Sequence, residues 1–246
     1  MFPTQPQLLQ FCDELYERGR WFTGAVDEAD ERYNFEARPD KVAIIFKPFA
    51  RATFQELLDK MSDSTRLVAF WQILQGVRAL HHAGFIHRDL KPANLGVVET
   101  VTEEISTVIL DYGQTVEAKL CEPNPGRVGT IPYLAPEMER TPYGNGVDIW
   151  ALGIIGYQMF ITDDGKLGWR HAVKDKLSFD LKFALLQKEP TSTIGNLLSR
   201  MLAWDPAIRA SADSALSHAC FSELAQNHGP DPQPGQKRSI RSTSSD

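Results

Sequence analysis

Apolar side chains recur at helical spacing in two long stretches of the chain, which predict its central helices. In residues 67–83 they follow the period of about 3.6 residues that marks one helix face. Gly84 follows, where glycine often ends a helix, and His81 and His82 are expected to favour the dipole of its last turn. Residues 147–161 are apolar on every side, which predicts a helix in the centre of the fold.

Weaker patterns predict further elements on either side of these helices. Shorter helices are predicted at residues 7–20, 54–61, 181–187, 194–203 and 212–218. Short strands are predicted at residues 33–37 and 42–46, as a hairpin around the Pro39-Asp40 turn, and at residues 95–98 and 107–110. Residues 223–246 are rich in Pro, Gly, Gln and Ser and are predicted to be disordered. The predicted fold class is therefore α+β and mostly helical.

The composition is that of a globular protein. The 246 residues are 42% apolar and 24% charged, enough for one or two domains with a core. A net charge of −6 gives no reason to expect nucleic acid or a membrane surface as a partner. Three isolated cysteines favour a reducing intracellular compartment, cytoplasmic or nuclear, over a disulfide framework. The chain shows no signal peptide, and its longest apolar run is too short to span a bilayer, so we expect a soluble protein.

One polar stretch inside this apolar pattern is a candidate for chemistry. Residues 86–95 read IHRDLKPANL, which places Asp89, Lys91 and Asn94 at steps of two and three, with Pro92 stiffening the loop. By itself, an Asp-Leu-Lys-Pro sequence would be an ordinary turn. The motifs that follow it along the chain change that interpretation.

In order and spacing, five motifs resemble those of eukaryotic serine/threonine protein kinases. They are the catalytic loop at 86–95, Asp111-Tyr112-Gly113 in place of Asp-Phe-Gly, GTIPYLAPE at 129–137, DIWALG at 148–153, and Trp204-Asp205-Pro206 followed by Arg209. The resemblance covers roughly residues 8–222. It implies a protein-kinase-like fold, with a mostly helical C-lobe and a reduced N-lobe made of a helix and a β-hairpin.

The resemblance also implies a site for ATP, Mg²⁺ and a protein substrate. Asp89 would accept or orient the proton of the substrate hydroxyl, and Lys91 would offset charge on the moving phosphoryl group. Asn94 and Asp111 carry the oxygen atoms that Mg²⁺ prefers and are the expected metal ligands. With Lys91, they would also contact the nucleotide. The Leu-Lys-Pro-Ala run resembles the serine/threonine class, in which this lysine meets a threonine, here Thr130.

Six further residues are expected to have structural roles: His87, Arg88, Gly113, Glu137, Asp148 and Arg209. His87 would pack under the catalytic loop rather than act as a base. Asp148, near the start of the apolar helix, would be tied to backbone N–H groups of that loop. Glu137 and Arg209 would form a buried ion pair.

The first fifty residues lack two parts with which protein kinases hold ATP. The family uses a glycine-rich loop and a strand lysine, but the glycines here are Gly19 and Gly24, and Ile45 follows Val-Ala-Ile where lysine would belong. Phe46 precedes Asp89 by 43 residues, a spacing that suits the hinge strand of the family and is too short for its lysine strand.

The hinge alignment assigns three residues to the adenine site. Phe46 would be the gatekeeper, while the carbonyl of Lys47 and the N–H of Phe49 would face adenine. Gly96 is a further departure, because the family usually has an apolar side chain beneath adenine at this position. The missing ATP-binding parts and Gly96 are both expected to weaken nucleotide binding, while the residues of phosphoryl transfer are retained.

These assignments divide the chain into a reduced N-lobe at 1–49 (regulatory helix, hairpin and hinge), a C-lobe at 50–222 and a disordered tail at 223–246. A two-stranded hairpin is only marginally stable alone, so we expect either a partner or a missing N-terminal segment to cover it. The expected function is transfer of the ATP γ-phosphoryl group to Ser or Thr of a protein. The alternatives are a pseudokinase-like scaffold and an incomplete fragment of an active kinase, with weak or no ATP turnover.

Overall fold

The structure is a computed structural model that describes most of the chain after residue 49. The described residues are 50, 52–98, 105–120, 122, 128–139, 141–161, 180, 183–184, 186–188, 190–191 and 193–228. Those from Ala50 to Asn227 belong to one unit. The helix, hairpin and hinge predicted within residues 1–49, with Phe46, Lys47 and Phe49, lie outside the described residues, as does the tail after residue 228.

Six α-helices have defined bounds in the described part of the chain. They are α1 Phe54–Leu57, α2 Asp63–His82, α3 Gly146–Phe160, α4 Ile194–Met201, α5 Ala212–Leu216 and α6 Ser222–His228. Short 3₁₀ segments lie at Leu58–Lys60, Pro92–Asn94, Tyr112–Gln114, Ala118–Leu120, Ile131–Tyr133 and Ala219–Phe221. The predicted helix at 54–61 is thus split, and the predicted helix at 181–187 is helical at 183, 184 and 186. The prediction of a disordered tail at residues 223–246 is wrong for its first six residues, which belong to α6.

The long helix α2 begins one turn earlier than its apolar pattern predicted. The Ser62 hydroxyl accepts a hydrogen bond from the Thr65 N–H at 3.2 Å and so caps the first turn. Helix α2 ends at His82, and Gly84 follows with a φ of 83°. The end of α2 therefore leads directly into the catalytic loop predicted from the sequence.

Helix α3 is the centre of the core, as its apolar sequence predicted. It is buried from Val147 to Tyr157, and its Trp150 is among the largest fully buried side chains. Phe70 of α2 and Phe221 pack in the same hydrophobic cluster. Because α3 is covered on all sides, the polar group near its start, Asp148, is also buried, with 1% of its surface exposed.

Two small antiparallel sheets position the loops between the helices. Strands β1 (Ala52–Thr53), β3 (Leu95–Val98) and β4 (Ser106–Ile109) form one sheet in the order β1-β3-β4. Strands β2 (Phe85–Ile86) and β5 (Val116–Glu117) form the other. The two predicted strands after the catalytic stretch are therefore confirmed. Among the described residues, no helix has both the length and the apolar character needed to cross a bilayer.

Candidate active site

Asp89 lies at the centre of a cluster of four polar side chains. Its Oδ2 accepts hydrogen bonds from Lys91 Nζ at 2.7 Å and Asn94 Nδ2 at 3.2 Å. Its Oδ1 accepts from the Thr130 hydroxyl at 2.7 Å, and Lys91 Nζ also donates to that hydroxyl oxygen at 3.2 Å. The structure thus brings together four of the five residues predicted to be catalytic.

The loop conformation explains how Asn94 reaches Asp89. Pro92 begins a 3₁₀ turn in which the Asn94 N–H donates to the Lys91 carbonyl at 2.8 Å. Proline suits this position because it fixes φ and has no N–H to leave unpaired. The turn directs the Asn94 Nδ2 to the Asp89 carbonyl, at 2.9 Å, as well as to the Asp89 carboxylate.

Strand pairing brings Asp111 to the same end of the sheet as Asn94. Leu95 pairs with Ile109 in the antiparallel register of β3 and β4, and the Leu110 N–H donates to the Asn94 carbonyl at 2.8 Å. Asp111 follows in the left-handed region with a φ of 60°, and its carboxylate is exposed apart from a hydrogen bond from the Gly113 N–H. The Asn94 Nδ2 is committed to Asp89, so the Asn94 Oδ1 and the Asp111 carboxylate fit the oxygen-rich shell of Mg²⁺.

The buried carboxylate of Asp148 holds the backbone of the catalytic loop. It accepts hydrogen bonds from the His87 N–H at 2.8 Å and the Arg88 N–H at 2.9 Å, as the sequence predicted, and from His81 Nε2 at 2.9 Å. Burial raises the pKa of Asp148, but the hydrogen bonds from the His81 side chain and the His87 N–H oppose this effect, and the pKa lies below its ordinary value.

The imidazole of His87 is buried and neutral, and both of its nitrogen atoms are hydrogen-bonded. Its Nδ1 accepts from the Asp89 N–H at 3.3 Å, which requires the proton to be on Nε2, and Nε2 donates to the Leu110 carbonyl at 3.1 Å. Burial lowers the pKa of His87 against the opposing attraction of three carboxylates, of which Asp148 is the strongest and Asp89 and Asp111 follow. His87 thus lies within the electric field of both proposed catalytic acids, and it links their two loops.

Farther from Asp89, the predicted ion pair between Glu137 and Arg209 is present and buried. Two nitrogen atoms of the Arg209 guanidinium contact the two carboxylate oxygens, at 2.5 and 3.0 Å. Arg209 also donates to the carbonyls of Ala203, Gly146 and Trp204, so all five of its N–H groups have acceptors. Its guanidinium lies over the Trp150 ring at 5.1 Å, which fixes the loop before α5 against α3.

The profile of the protein kinase domain matches residues 31–221 of this chain. The chain belongs to the protein kinase family. It is 35% identical to human serine/threonine-protein kinase H1 over 252 residues, covering 90% of this chain and 56% of that protein. It is 34% identical to the zebrafish (Danio rerio) H1 homolog over 195 residues, or 71% of this chain and 44% of that protein. A calcium and calcium/calmodulin-dependent serine/threonine-protein kinase of Pisum sativum is 32% identical over 166 residues, covering 65% of this chain and 31% of that protein. The chain therefore spans about half or less of the length of these relatives.

Within this kinase domain, the arginine before Asp89 is held by neutral oxygen atoms. Arg88 Nε donates to the Gln114 carbonyl at 2.6 Å, and Nη1 donates to the Tyr143 hydroxyl at 3.2 Å. Gln114 ends the 3₁₀ turn that begins at Tyr112, so Arg88 ties the catalytic loop to the segment after Asp111. Arg88 itself adopts a left-handed φ of 69°, which a residue with a side chain rarely adopts without support.

Close packing explains why residue 96 of this kinase domain is a glycine. A Cβ atom there would lie 2.4 Å from the Cβ of Ala50 and 2.9 Å from Cγ1 of Val108. The space that an apolar side chain would need is thus already filled by neighbours within the described unit. The three hinge residues assigned to adenine lie outside the described residues, so their role stays a prediction.

Two residues of the site were not found from the sequence. His81 was interpreted only as a helix-end residue, and Tyr143 was assigned no role. Each acts on a partner 67 or 55 residues away, and no periodicity or spacing in a single sequence pairs residues so distant. The available signal was only that both lie next to predicted motifs.

Proposed function

We propose that this chain transfers the γ-phosphoryl group of Mg·ATP to the hydroxyl of a serine or threonine in a protein substrate. The observation that carries this proposal is the contact of Asp89 with Lys91, Asn94 and Thr130. A carboxylate, an ammonium group and an amide that meet in one partly buried cluster suit phosphoryl transfer, which depends on positioning and charge stabilisation.

The proposed roles follow from the atoms that each residue presents. Asp89 accepts or orients the proton of the acceptor alcohol, and Lys91 stabilises negative charge beside it. The Thr130 hydroxyl, 2.7 Å from Asp89 Oδ1 and 3.2 Å from Lys91 Nζ, supports this proposal because an alcohol oxygen already fits between these two groups. Its pairing with Lys91 is also the arrangement expected for the serine/threonine class.

The residues of the described site are also compatible with the cofactor of the family. Protein kinases generally use ATP with Mg²⁺, and the metal neutralises charge on the β- and γ-phosphates. We assign the metal to Asn94 and Asp111, because the Asn94 Oδ1 and the exposed Asp111 carboxylate lie on two loops joined by the hydrogen bond from Leu110 to Asn94. We assign adenine to the hinge positions Phe46, Lys47 and Phe49.

The missing glycine-rich loop and strand lysine limit how tightly these residues can hold ATP. We infer that another segment of a longer product, or a partner protein, covers the phosphates. We also infer that the protein acts inside the cell, cytoplasmic or nuclear, where its substrates would be other proteins.

A pseudokinase-like scaffold is the second candidate, and it is not favoured. The relatives are described as serine/threonine kinases. A docking scaffold would have no need of Asp89, Lys91 and Asn94 in mutual contact, whereas phosphoryl transfer depends on such positioning.

The proposal is tested by labelling with γ-labelled ATP and Mg²⁺ on an array of serine- and threonine-containing peptides. Asp89→Asn should abolish transfer to the array. Asp63→Asn is the control, because Asp63 is exposed and lies at the far end of α2, about 30 Å along the helix from the catalytic loop. Transfer that survives Asp89→Asn, or that is absent from the wild-type chain, would overturn the proposal.

A further inference from the structure

A cavity of about 330 Å³ opens beside the buried pair of Glu137 and Arg209 and shares no lining residue with the Asp89 cluster. Its lining, which defines the Trp204 pocket, consists of Pro136, Glu137, Thr141, Trp204, Asp205 and Pro206. The volume is at the lower end of the range for ligand sites in proteins. The pocket therefore suits one inserted side chain better than a drug-sized molecule.

The lining of the Trp204 pocket contains one carboxylate whose charge is not balanced. Glu137 is paired with Arg209, and all five N–H groups of that arginine already have acceptors. Asp205 is exposed, and its Oδ1 accepts from the Ala207 N–H at 2.9 Å, but no cationic side chain of the described residues contacts it. The pocket thus presents a negative charge to solvent, which favours a cationic occupant.

The aromatic wall of the Trp204 pocket favours the same occupant. Trp204 is partly exposed and packs edge-on against Trp150, with ring centroids 5.9 Å apart and planes at 87°. The Trp204 carbonyl accepts from Arg209 Nη2 at 3.3 Å, so its backbone is already fixed. An indole next to a carboxylate attracts cations, and a guanidinium can both lie against the ring and pair with the carboxylate.

The interior of the protein already contains this combination of groups. The Arg209 guanidinium lies 5.1 Å from the centroid of the Trp150 ring and is paired with Glu137. Trp204 and Asp205 repeat the indole and the carboxylate at the surface, where no arginine in the described part of the chain contacts Asp205. A guanidinium from outside would complete the second set.

We propose that the Trp204 pocket is a docking site for an arginine side chain of a partner protein. A protein segment fits better than a free small molecule, because apolar surface continues beyond the pocket. Ile208 is 74% exposed, and its N–H donates to the Asp205 carbonyl at 3.3 Å, which places it on the same turn as Asp205. An apolar side chain next to the arginine would cover Ile208. The site goes beyond the proposed function and does not depend on phosphoryl transfer.

Nuclear magnetic resonance titration of the full chain tests the site, with the peptide Gly-Ser-Ile-Arg-Ser-Gly as the probe. The backbone N–H signals of Trp204, Asp205 and Ala207 report on the pocket. The matched probe carries citrulline, which has the shape of arginine without its charge. We expect the arginine probe to shift these signals to saturation and the citrulline probe to bind about fivefold more weakly. Equal binding of the two probes, or signals that do not shift, would overturn the proposal, and this comparison needs no variant.

A pair of variants separates the pocket from the overall charge of the protein. Asp205→Asn keeps an acceptor for the Ala207 N–H but removes the charge, so it should weaken binding of the arginine probe about fivefold. Asp63→Asn is the control, because Asp63 is 94% exposed and does not line the pocket, and it should bind the probe as the wild type does. Equal affinities of the two variants would show that the probe responds only to net charge, which would overturn the proposal.

Ile208→Ser tests whether the occupant is a protein segment. A probe with glycine in place of isoleucine should bind the wild type about threefold more weakly than the original probe does, because it leaves Ile208 uncovered. The two probes should bind Ile208→Ser equally well. The same threefold loss in both chains would overturn the partner segment in favour of a small guanidinium compound.

Two other sources of the arginine are distinct outcomes, and each would overturn docking of a partner protein. If a second copy of the chain supplies it, sedimentation velocity should show a wild-type dimer that is lost in Asp205→Asn. If the chain's own Lys237, Arg238 or Arg241 supplies it, the probe should bind only after these three residues are changed to serine. A monomeric wild-type chain that binds the arginine probe directly supports the proposal.

Discussion

Gly129 lies against the carbonyl of Arg88, so close that a Cβ atom on Gly129 would be 2.6 Å from that oxygen. This contact sets the segment that carries Thr130 against the catalytic loop. Gly129 also has a φ of 83°, in the left-handed region. We expect Gly129→Ala to combine backbone strain with a clash against backbone that cannot move aside, and to lower the free energy of unfolding by more than about 2 kcal/mol.

Two other glycines separate the effect of backbone strain from that of the steric clash. Gly84 has the same φ of 83° but open space around its Cβ position, and Gly144 has open space without a positive φ. Urea denaturation should rank the losses of stability as Gly129→Ala, then Gly84→Ala at about 1 kcal/mol, then Gly144→Ala near zero. A Gly129→Ala loss no larger than that of Gly84→Ala would show that the contact with Arg88 is not restrictive.

Removal of Arg209 should be among the most damaging single changes in the described unit. Arg209→Leu would leave the buried Glu137 carboxylate without its counter-ion, which typically costs about 3–5 kcal/mol. Lys119→Met breaks an ion pair of 2.9 Å with Glu117, but the Lys119 side chain is 78% exposed, so its loss should be below about 1 kcal/mol. Thermal and urea unfolding of both variants measure the difference, and comparable losses would contradict this ranking.

The contrast between α2 and the His81–Asp148 pair shows what the sequence could predict. Helix α2 was found because a repeated apolar pattern determines which face is buried, and α3 was found because its residues are apolar on every side. The start of α2 was missed by one turn because a single capping residue, Ser62, determines it. Helix α6 was missed because the Pro, Gly, Gln and Ser content of residues 223–246 was interpreted as disorder along the whole segment.

The candidate site was predictable to a different extent. The Asp89 cluster was found because its members belong to short motifs that resemble those of protein kinases. His81, a further partner of Asp148, and Tyr143, a partner of Arg88, lie far from these residues in the sequence and meet them only through tertiary packing, and this is why both were missed. Tertiary contacts of this kind have no signature in a single chain.

Acidification should destabilise the fold through His87. Burial lowers the pKa of His87, with the nearby carboxylates opposing it. In the unfolded chain this histidine takes up a proton near a pH of about 6.5, while the folded chain does not. The unfolded state then binds more protons, so the free energy of unfolding falls as the pH drops below about 6.5, by at most about 1.4 kcal/mol per pH unit, until the pH reaches the folded pKa.

Urea denaturation at several pH values between 7.5 and 5 measures this slope. His87→Phe should be less stable at neutral pH but should lose less stability on acidification than the wild type. The pKa of His218 is also lowered, by burial and then by the charge of Arg200, so part of the slope should remain in the variant. Parallel slopes for wild type and His87→Phe would mean that His87 is protonated in the folded state.

A rescue experiment tests the packing of Gly96 against Ala50. Gly96→Ala would place a Cβ atom 2.4 Å from that of Ala50, an overpacking that typically costs about 1–3 kcal/mol. Because the nearest obstructing atom is the Ala50 Cβ, Ala50→Gly should remove most of the conflict, although Val108 Cγ1 at 2.9 Å still has to shift. The double variant should therefore be more stable than Gly96→Ala alone, even though Ala50→Gly by itself stabilises nothing. A double-mutant cycle from urea denaturation gives the coupling energy directly. A coupling near zero would mean that Val108 and Leu110, rather than Ala50, require glycine at this position of β3.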